Sequence, residues 1–202
     1  MPNSWEVSKF SSLVDIVHGQ VNPKEEPYSS MIHIGPENIE SDTGRLLLSK
    51  TAKELGLRSG KYLFHDRHIL YSKIRPYLNK VTLPSFSGIC SADMYPLQSK
   101  SDDLIREFIF YFLLSEKFVS QAVSFQTRTG IPKINRQQLG STLLPIPPKD
   151  EQQQISKILS VCDRKIQALE KEIALTDELF HAMLEQLMTG KISTQPLTET
   201  YV

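Results

Sequence analysis

The 202-residue chain contains only two cysteines, Cys90 and Cys162. Two thiols are too few for a disulfide framework or a four-cysteine zinc site, which suits a reducing compartment. No stretch approaches the ~18 consecutive apolar residues of a membrane-spanning helix, so no membrane partner is expected. The opening MPNSWEVSKF has no apolar core of the kind a secretory signal carries, and the chain reads as soluble and cytoplasmic. Net charge is also absent, with 23 Lys+Arg against 23 Asp+Glu, so the chain as a whole has no pull on a polyanion. Phosphate cradles of the G-x-x-x-x-G-K-[ST] and G-x-G-x-x-G kinds are missing. So are the G-x-S-x-G elbow and the H-E-x-x-H pair. His65, Asp66 and His68 form the one cluster resembling a metal or acid–base site. On an extended strand positions 65 and 68 point to opposite faces, so they read as turn or surface residues. The sequence therefore predicts a non-enzymatic chain with no metal and no cofactor of its own.

What is present is a chain able to fill a core: 40% hydrophobic residues, nine Phe, seven Tyr and one Trp. Its charges are segregated. Residues 1–150 hold 18 basic and 15 acidic side chains, and residues 151–202 hold 5 basic and 8 acidic. Between 44 and 80 the basic residues Arg45, Lys50, Lys53, Arg58, Lys61, Arg67, Lys73, Arg75 and Lys80 face only Glu54 and Asp66. Arg128, Lys133 and Arg136 form a second basic cluster. Local positive charge of this kind attracts a phosphate backbone even on a neutral chain, and it serves equally as a solvated surface.

The pattern of elements predicts an α+β fold, a mixed globular domain followed by a long C-terminal coiled-coil helix. A short helix is expected at Lys9–Val17. Strands are expected at MIHIG, GRLLLS, KYLF, HILYSKI and GICSADMYPL, between Gly, Pro, Asn and Ser breaks. From Asp102 a helix is expected with Ile105, Phe108, Ile109, Phe112 and Leu113 on one face, continuing after a break through Phe118–Phe125. The following TRTGIPKINRQQLGSTLLPIPPKD has four prolines and no helical period.

Beyond Pro147-Pro148 the pattern changes. Ile155, Leu159, Cys162, Ile166, Leu169, Ile173, Thr176, Phe180, Met183 and Leu187 recur at alternating steps of four and three, the heptad seam of a coiled coil with one polar position, Thr176. Asp150 and Gln153 resemble a capping box, and Gly190 supplies a stop. Some 40 residues of helix at ~1.5 Å each extend about 60 Å. Such a seam needs a second helix, and no other segment of the chain is long enough, so a second chain is expected. Cys90, in an apolar strand, and Cys162, on the seam, are both expected as small buried hydrophobes. The domain plan is residues 1–148, a heptad helix 149–191 and a tail 192–202.

The run GIPKINRQQLGSTLLPIPPKDEQQQ, followed by ISKILSVCDRKIQALEKEI, resembles the specificity subunit of type I restriction–modification enzymes where a target recognition domain meets its helical region. The matching pieces are Thr129-Gly130, Ile131–Asn135, Leu139, Pro145–Pro148, Glu151-Gln152 and Leu187–Ile192. The stretches His68–Val81, Gly88–Leu97 and Gly19 to Pro23 are similar to recognition-domain segments. Family members usually carry two recognition domains and two helical regions, and this sequence has one of each, so it resembles a half-length form.

The resemblance implies a DNA sequence-specificity subunit that pairs as a homodimer, with antiparallel helices, on a bipartite and palindromic double-stranded DNA target. Helix length would set the spacer between half-sites. It further implies partner methylation (M) and restriction (R) subunits. S-adenosylmethionine and ATP belong to those partners, and no cofactor to this chain. The outward helix positions Lys157, Arg164, Lys165 and Gln167 are candidate contacts for the methylation subunits.

Two loops are expected on the DNA face. The first holds Lys73, Arg75, Tyr77, Asn79 and Lys80, with Lys73 and Arg75 on one face of an extended segment. The second holds Arg128, Thr129, Gly130, Lys133, Asn135 and Arg136. Arg reads guanine and Asn adenine by paired hydrogen bonds, while Lys more often neutralises phosphate. Glycine at 130 permits close approach of backbone to phosphate. A non-DNA coiled-coil adaptor is the alternative reading, in which the basic residues serve only solubility.

Overall fold

The computed structural model describes residues 4–125 and 131–193. The chain opens with β1 (Glu6–Lys9), a single helical turn α1 (Phe10–Leu13) and β2 (Val14–Ile16), in place of the one helix expected over 9–17. Phe10 explains the break, because its side chain is fully buried and its N–H is held by the Thr142 carbonyl at 2.8 Å. Short strands follow: β3 (Gln20–Val21), β4 (His33–Ile34), β5 (Lys61–Phe64), β6 (Ile69–Ser72), β7 (Val81–Thr82), β8 (Gly88–Cys90) and β9 (Met94–Ser99). The GRLLLS segment forms no strand and contributes only the isolated bridge Ile39–Leu46.

The strands make two four-stranded sheets, ordered β2-β9-β6-β7 and β3-β5-β8-β4. Every pairing is antiparallel except β4 with β8. β6 and β9 pair from Ile69–Leu97 to Ser72–Met94 and form a wall between two cores. Ile69, Tyr71, Tyr95 and Leu97 belong to the larger core, and Leu70 and Met94 to the smaller one with Ile34, Ile39, Phe64 and Cys90. Both faces are apolar, which is why ILYS shows no alternation of polar and apolar residues.

Helices α2 (Arg106–Leu114) and α3 (Glu116–Ser124) close the larger core. Their aromatic residues meet edge to face, Phe118 lying 5.5 Å from both Tyr71 and Phe112. Gly44 is fixed by this packing: its φ is +74°, and a Cβ there would collide with the Phe110 ring and crowd the Val81 carbonyl at 3.1 Å.

The proline-rich segment contains two elements the sequence did not reveal. α4 (Arg136–Ser141) is opened by a capping box of Asn135 and Gln138. β10 (Leu143–Ile146) pairs with β1 from Glu6–Ile146 to Lys9–Leu143. Helix α5 then runs from Lys149 to Met188. Its first turns belong to the globular unit, which extends to Ser156 rather than 148. Gln152 is the reason. It is 1% exposed, its Oε1 accepts from the Ile105 N–H at 2.9 Å, and its Nε2 donates to the Pro147 carbonyl at 2.9 Å and the Asp103 carbonyl at 3.2 Å. Ile155 packs against the same core.

Two histidines are buried inside the unit. Neither ring nitrogen of His33 has a hydrogen-bond partner. Burial pushes its pKa below the usual value, nearby Lys61 adds to the shift and Glu37 opposes it. Burial also lowers His68, helped by His65 and Arg67. A histidine that resists protonation in the folded state takes up its proton on unfolding. Stability is therefore complete above the unfolded pKa of ~6.5 and falls as pH drops below it. The unfolding temperature is expected to fall between about pH 7.5 and 5.5, and to fall less in His33→Leu. Identical pH dependence in the parent and His33→Leu would refute this assignment.

Candidate nucleic-acid interface

β6 leads directly into the first candidate loop, and backbone hydrogen bonds tie that loop to the second. The Arg75 N–H donates to the Pro132 carbonyl at 2.8 Å, and the Ile134 N–H to the Lys73 carbonyl at 2.9 Å. This makes an antiparallel bridge between Ile74 and Lys133. Segments almost sixty positions apart in sequence thus become one ridge. Arg75 holds the left-handed conformation at φ +48° and starts a 3-10 turn over Pro76–Leu78, and Asn79 closes it at φ +41°. Pro76 pre-sets the φ that this turn needs.

The ridge sorts the candidate residues by what their side chains touch. Arg75 and Lys133 are exposed, and their side chains have no hydrogen-bond or ion-pair partner among the described residues. Tyr77 is 50% exposed. Lys73 is tied down: its Nζ donates to the Ala92 carbonyl at 2.6 Å, lies 3.7 Å from the Asp93 carboxylate and sits over the Tyr95 ring. Lys80 donates to the Pro36 carbonyl at 2.8 Å. The expected common face of Lys73 and Arg75 gives way to a bend at Arg75. Pro36, Glu37, Ser72, Arg75, Lys80 and Asp93 help to line a cleft of about 330 Å³ beside the ridge.

Three candidates have structural duties instead. Asn79 is 1% exposed and its amide donates to the Leu114 carbonyl at 3.1 Å, leaving no edge for a base. The Asn135 side chain accepts the Gln138 N–H at 2.8 Å as the cap of α4. Arg136 donates to the carbonyls of Ile16 at 2.9 Å and Val17 at 2.8 Å, with its guanidinium stacked over Tyr95 and Tyr62. Polar residue types common in recognition are equally common where backbone groups need partners, and only the fold tells the two apart. Arg128, Thr129 and Gly130 lie outside the described residues.

Beyond the ridge, the basic run at 44–80 divides in the same way. Lys61 is buried, donating to Ser59, and Arg45 pairs with Glu40. Lys50, Lys53, Arg58 and Arg67 are exposed. Lys53 and Arg58 line one open cleft with Lys24 and Glu26. Lys24 was not among the expected residues, because a lone lysine in a turn carries no sequence signal.

The histidine pair lies about a turn, as read from the sequence: Asp66-Arg67 form the turn, and the rings stack 5.6 Å apart instead of facing opposite ways as on a strand. His68 is buried, and its Nδ1 accepts the His65 N–H at 2.8 Å. No group of three potential metal ligands occurs among the described residues.

Along α5, Leu159, Cys162, Ile166, Leu169, Ile173, Thr176 and Phe180 are exposed, and Met183 and Leu187 are half-buried. Cys90 is fully buried, as expected, and burial pushes its thiol pKa up, whereas Cys162 is exposed on the seam face of α5 in the single chain. Ile158, Val161, Leu175, Leu179, Leu184 and Met188 are exposed as well, so the apolar surface of α5 is wider than the heptad seam. No helix among the described residues is long and apolar enough to cross a membrane.

Several known proteins share this plan. The Escherichia coli EcoDI specificity subunit of a type I restriction enzyme is 36% identical over 199 residues, covering 96% of this chain and 44% of its own length. The MjaVIII specificity subunit of Methanocaldococcus jannaschii is 26% identical, with 94% and 43% covered. The chain thus spans less than half the length of these relatives. Among solved structures, the HsdS subunit from Thermoanaerobacter tengcongensis superposes with a TM-score of 0.71 at 18% identity, over 92% of this chain and 49% of that one. The S subunit from M. genitalium superposes at 0.62 over 92% and 46%. Residues 2–176 match the type I restriction modification DNA specificity domain, and the chain belongs to that family.

Proposed function

We propose that this chain reads one half of a bipartite double-stranded DNA target and directs the methylation and restriction subunits of a type I restriction–modification system to it. The observation that carries the reading is the joining of two basic loops by the Ile74–Lys133 bridge, with Arg75 and Lys133 exposed and unpaired beside Tyr77. An arginine fixed at its backbone and free at its guanidinium suits bidentate bonding to guanine O6 and N7, while Lys133 neutralises phosphate. The chain itself is non-catalytic in this scheme. S-adenosylmethionine and ATP sit on the partner subunits, and positions such as Lys157, Arg164, Lys165 and Gln167, all on α5, dock the methylation subunits.

Two copies pair through the α5 seam. An antiparallel arrangement with its two-fold beside Lys171 sets Leu159 against Met183, Cys162 against Phe180, Ile166 against Thr176 and Leu169 against Ile173. Small residues then face large ones. A parallel pair would set Cys162 against Cys162 and Phe180 against Phe180, giving layers of uneven width. Because the pair has a two-fold axis, its target is a palindrome interrupted by a spacer.

Arg75→Ala is expected to weaken the cognate duplex by about 1–3 kcal/mol and relax one position, whereas Lys133→Ala weakens all sequences alike and lowers the salt dependence. Binding assays in which both variants match the parent would overturn the site. For the seam, light scattering of the parent is expected to give twice 23.0 kDa. Cys162→Phe and Phe180→Cys each lower the association, and the double exchange restores it. A double variant weaker than either single one would rule out this register.

A further inference from the structure

Leu48 is 99% exposed, next to half-exposed Leu47, in the segment joining β4 to β5. Single exposed leucines are common on protein surfaces, but this one is held outward by its backbone. The Leu47 N–H donates to the Asn38 carbonyl at 2.8 Å, the Asn38 side-chain amide donates to the Leu48 carbonyl at 2.8 Å, and the Lys50 carbonyl accepts the His33 N–H at 2.9 Å. Pinned on both sides, the segment has no freedom to fold the leucine back onto apolar neighbours, so the exposure is built in.

The chain around it points to a polyanion. Lys50, Lys53 and Arg58 follow it and are all exposed. The patch is also continuous with the ridge. Asn38 belongs to the same 3-10 turn as Pro36, the carbonyl of Pro36 accepts from Lys80, and Pro36 and Glu37 share a cleft with Arg75. An apolar side chain followed in the chain by exposed cations, and tied through Asn38 to the turn that shares a cleft with Arg75, matches the pairing that DNA grooves offer, with phosphates at the rim and apolar base groups within.

We propose that Leu48 makes an apolar contact with a base of the target and so adds a specificity determinant to the Arg75 ridge. The inference rests on the DNA-recognition reading. The base group it meets is either the C5-methyl of a thymine or the face of an unstacked base.

The test uses the full chain. A pool of random-sequence DNA duplexes is enriched by the parent, and the enriched sequence is then bound as a single duplex. Leu48→Ala is expected to bind that duplex roughly tenfold more weakly, with roughly unchanged affinity for a scrambled duplex and with one position per half-site relaxed. Leu48→Met, which keeps an apolar side chain of similar size, retains binding. If the contact is a thymine methyl, replacing one thymine by uracil costs the parent as much as Leu48→Ala and costs that variant nothing more. If it is an unstacked base, 2-aminopurine at that step brightens with the parent and not with Leu48→Ala. A Leu48→Ala variant indistinguishable from the parent on the enriched duplex overturns this assignment alone. A parent that enriches no sequence overturns the DNA reading and this contact with it.

Discussion

The globular unit leans on one strand pair, β6 with β9. It is buried on both faces and divides the interior into two cores, so neither core closes without it. The same pair places the candidate interface. β6 ends at Ser72 and delivers Lys73, Ile74 and Arg75 to the surface, and the turn before β9 offers the Ala92 carbonyl and the Asp93 carboxylate that hold Lys73. A strand fixed on two faces has little freedom at its end, and the Ile74–Lys133 bridge removes more. Arg75 is therefore presented by the core rather than by a loose loop, the rigidity that its proposed base contact calls for.

Burial and hydrogen bonding divide the basic residues by task. Lys61, Lys73, Lys80 and Arg136 satisfy carbonyls of their own domain. Removing one of them disturbs the fold before it disturbs binding. Arg75, Lys133, Lys50, Lys53 and Arg58 leave their charge in solvent, the place from which charge acts at long range on the phosphate backbone of the proposed target. Counting charges along the sequence cannot make this division, since a lysine that donates to Pro36 and one that meets water are the same letter.

Elsewhere in the unit, Gln152 joins three backbone groups: the N–H of Ile105 ahead of α2 and the carbonyls of Asp103 and Pro147. It carries the first turns of α5 into the globular unit, which ends at Ser156. Ile155, though in step with the seam, packs on its own domain, so the uncovered stripe begins at Leu159.

The α+β plan, the long helix and its heptad seam were legible in the sequence. Period 3.5 and prolines are local signals that need no knowledge of distant residues, and the family pattern in Gly130–Gln154 was carried by letters alone. The α2 and α3 helices were legible for the same reason. The hidden elements were those fixed by partners far away. β10 exists because β1 lies beside it, and α1 is a single turn because Phe10 is drawn into the core. The expected interface was legible as two basic clusters, but its composition was not. Only the tertiary structure joined Arg75 to Lys133, turned Asn79, Asn135 and Arg136 into supports, and held Leu48 outward. Each depends on a backbone group tens of residues away or on a local cap, and hydrogen-bond partners of that kind are chosen by the packed chain, not by the identity of the side chain that meets them.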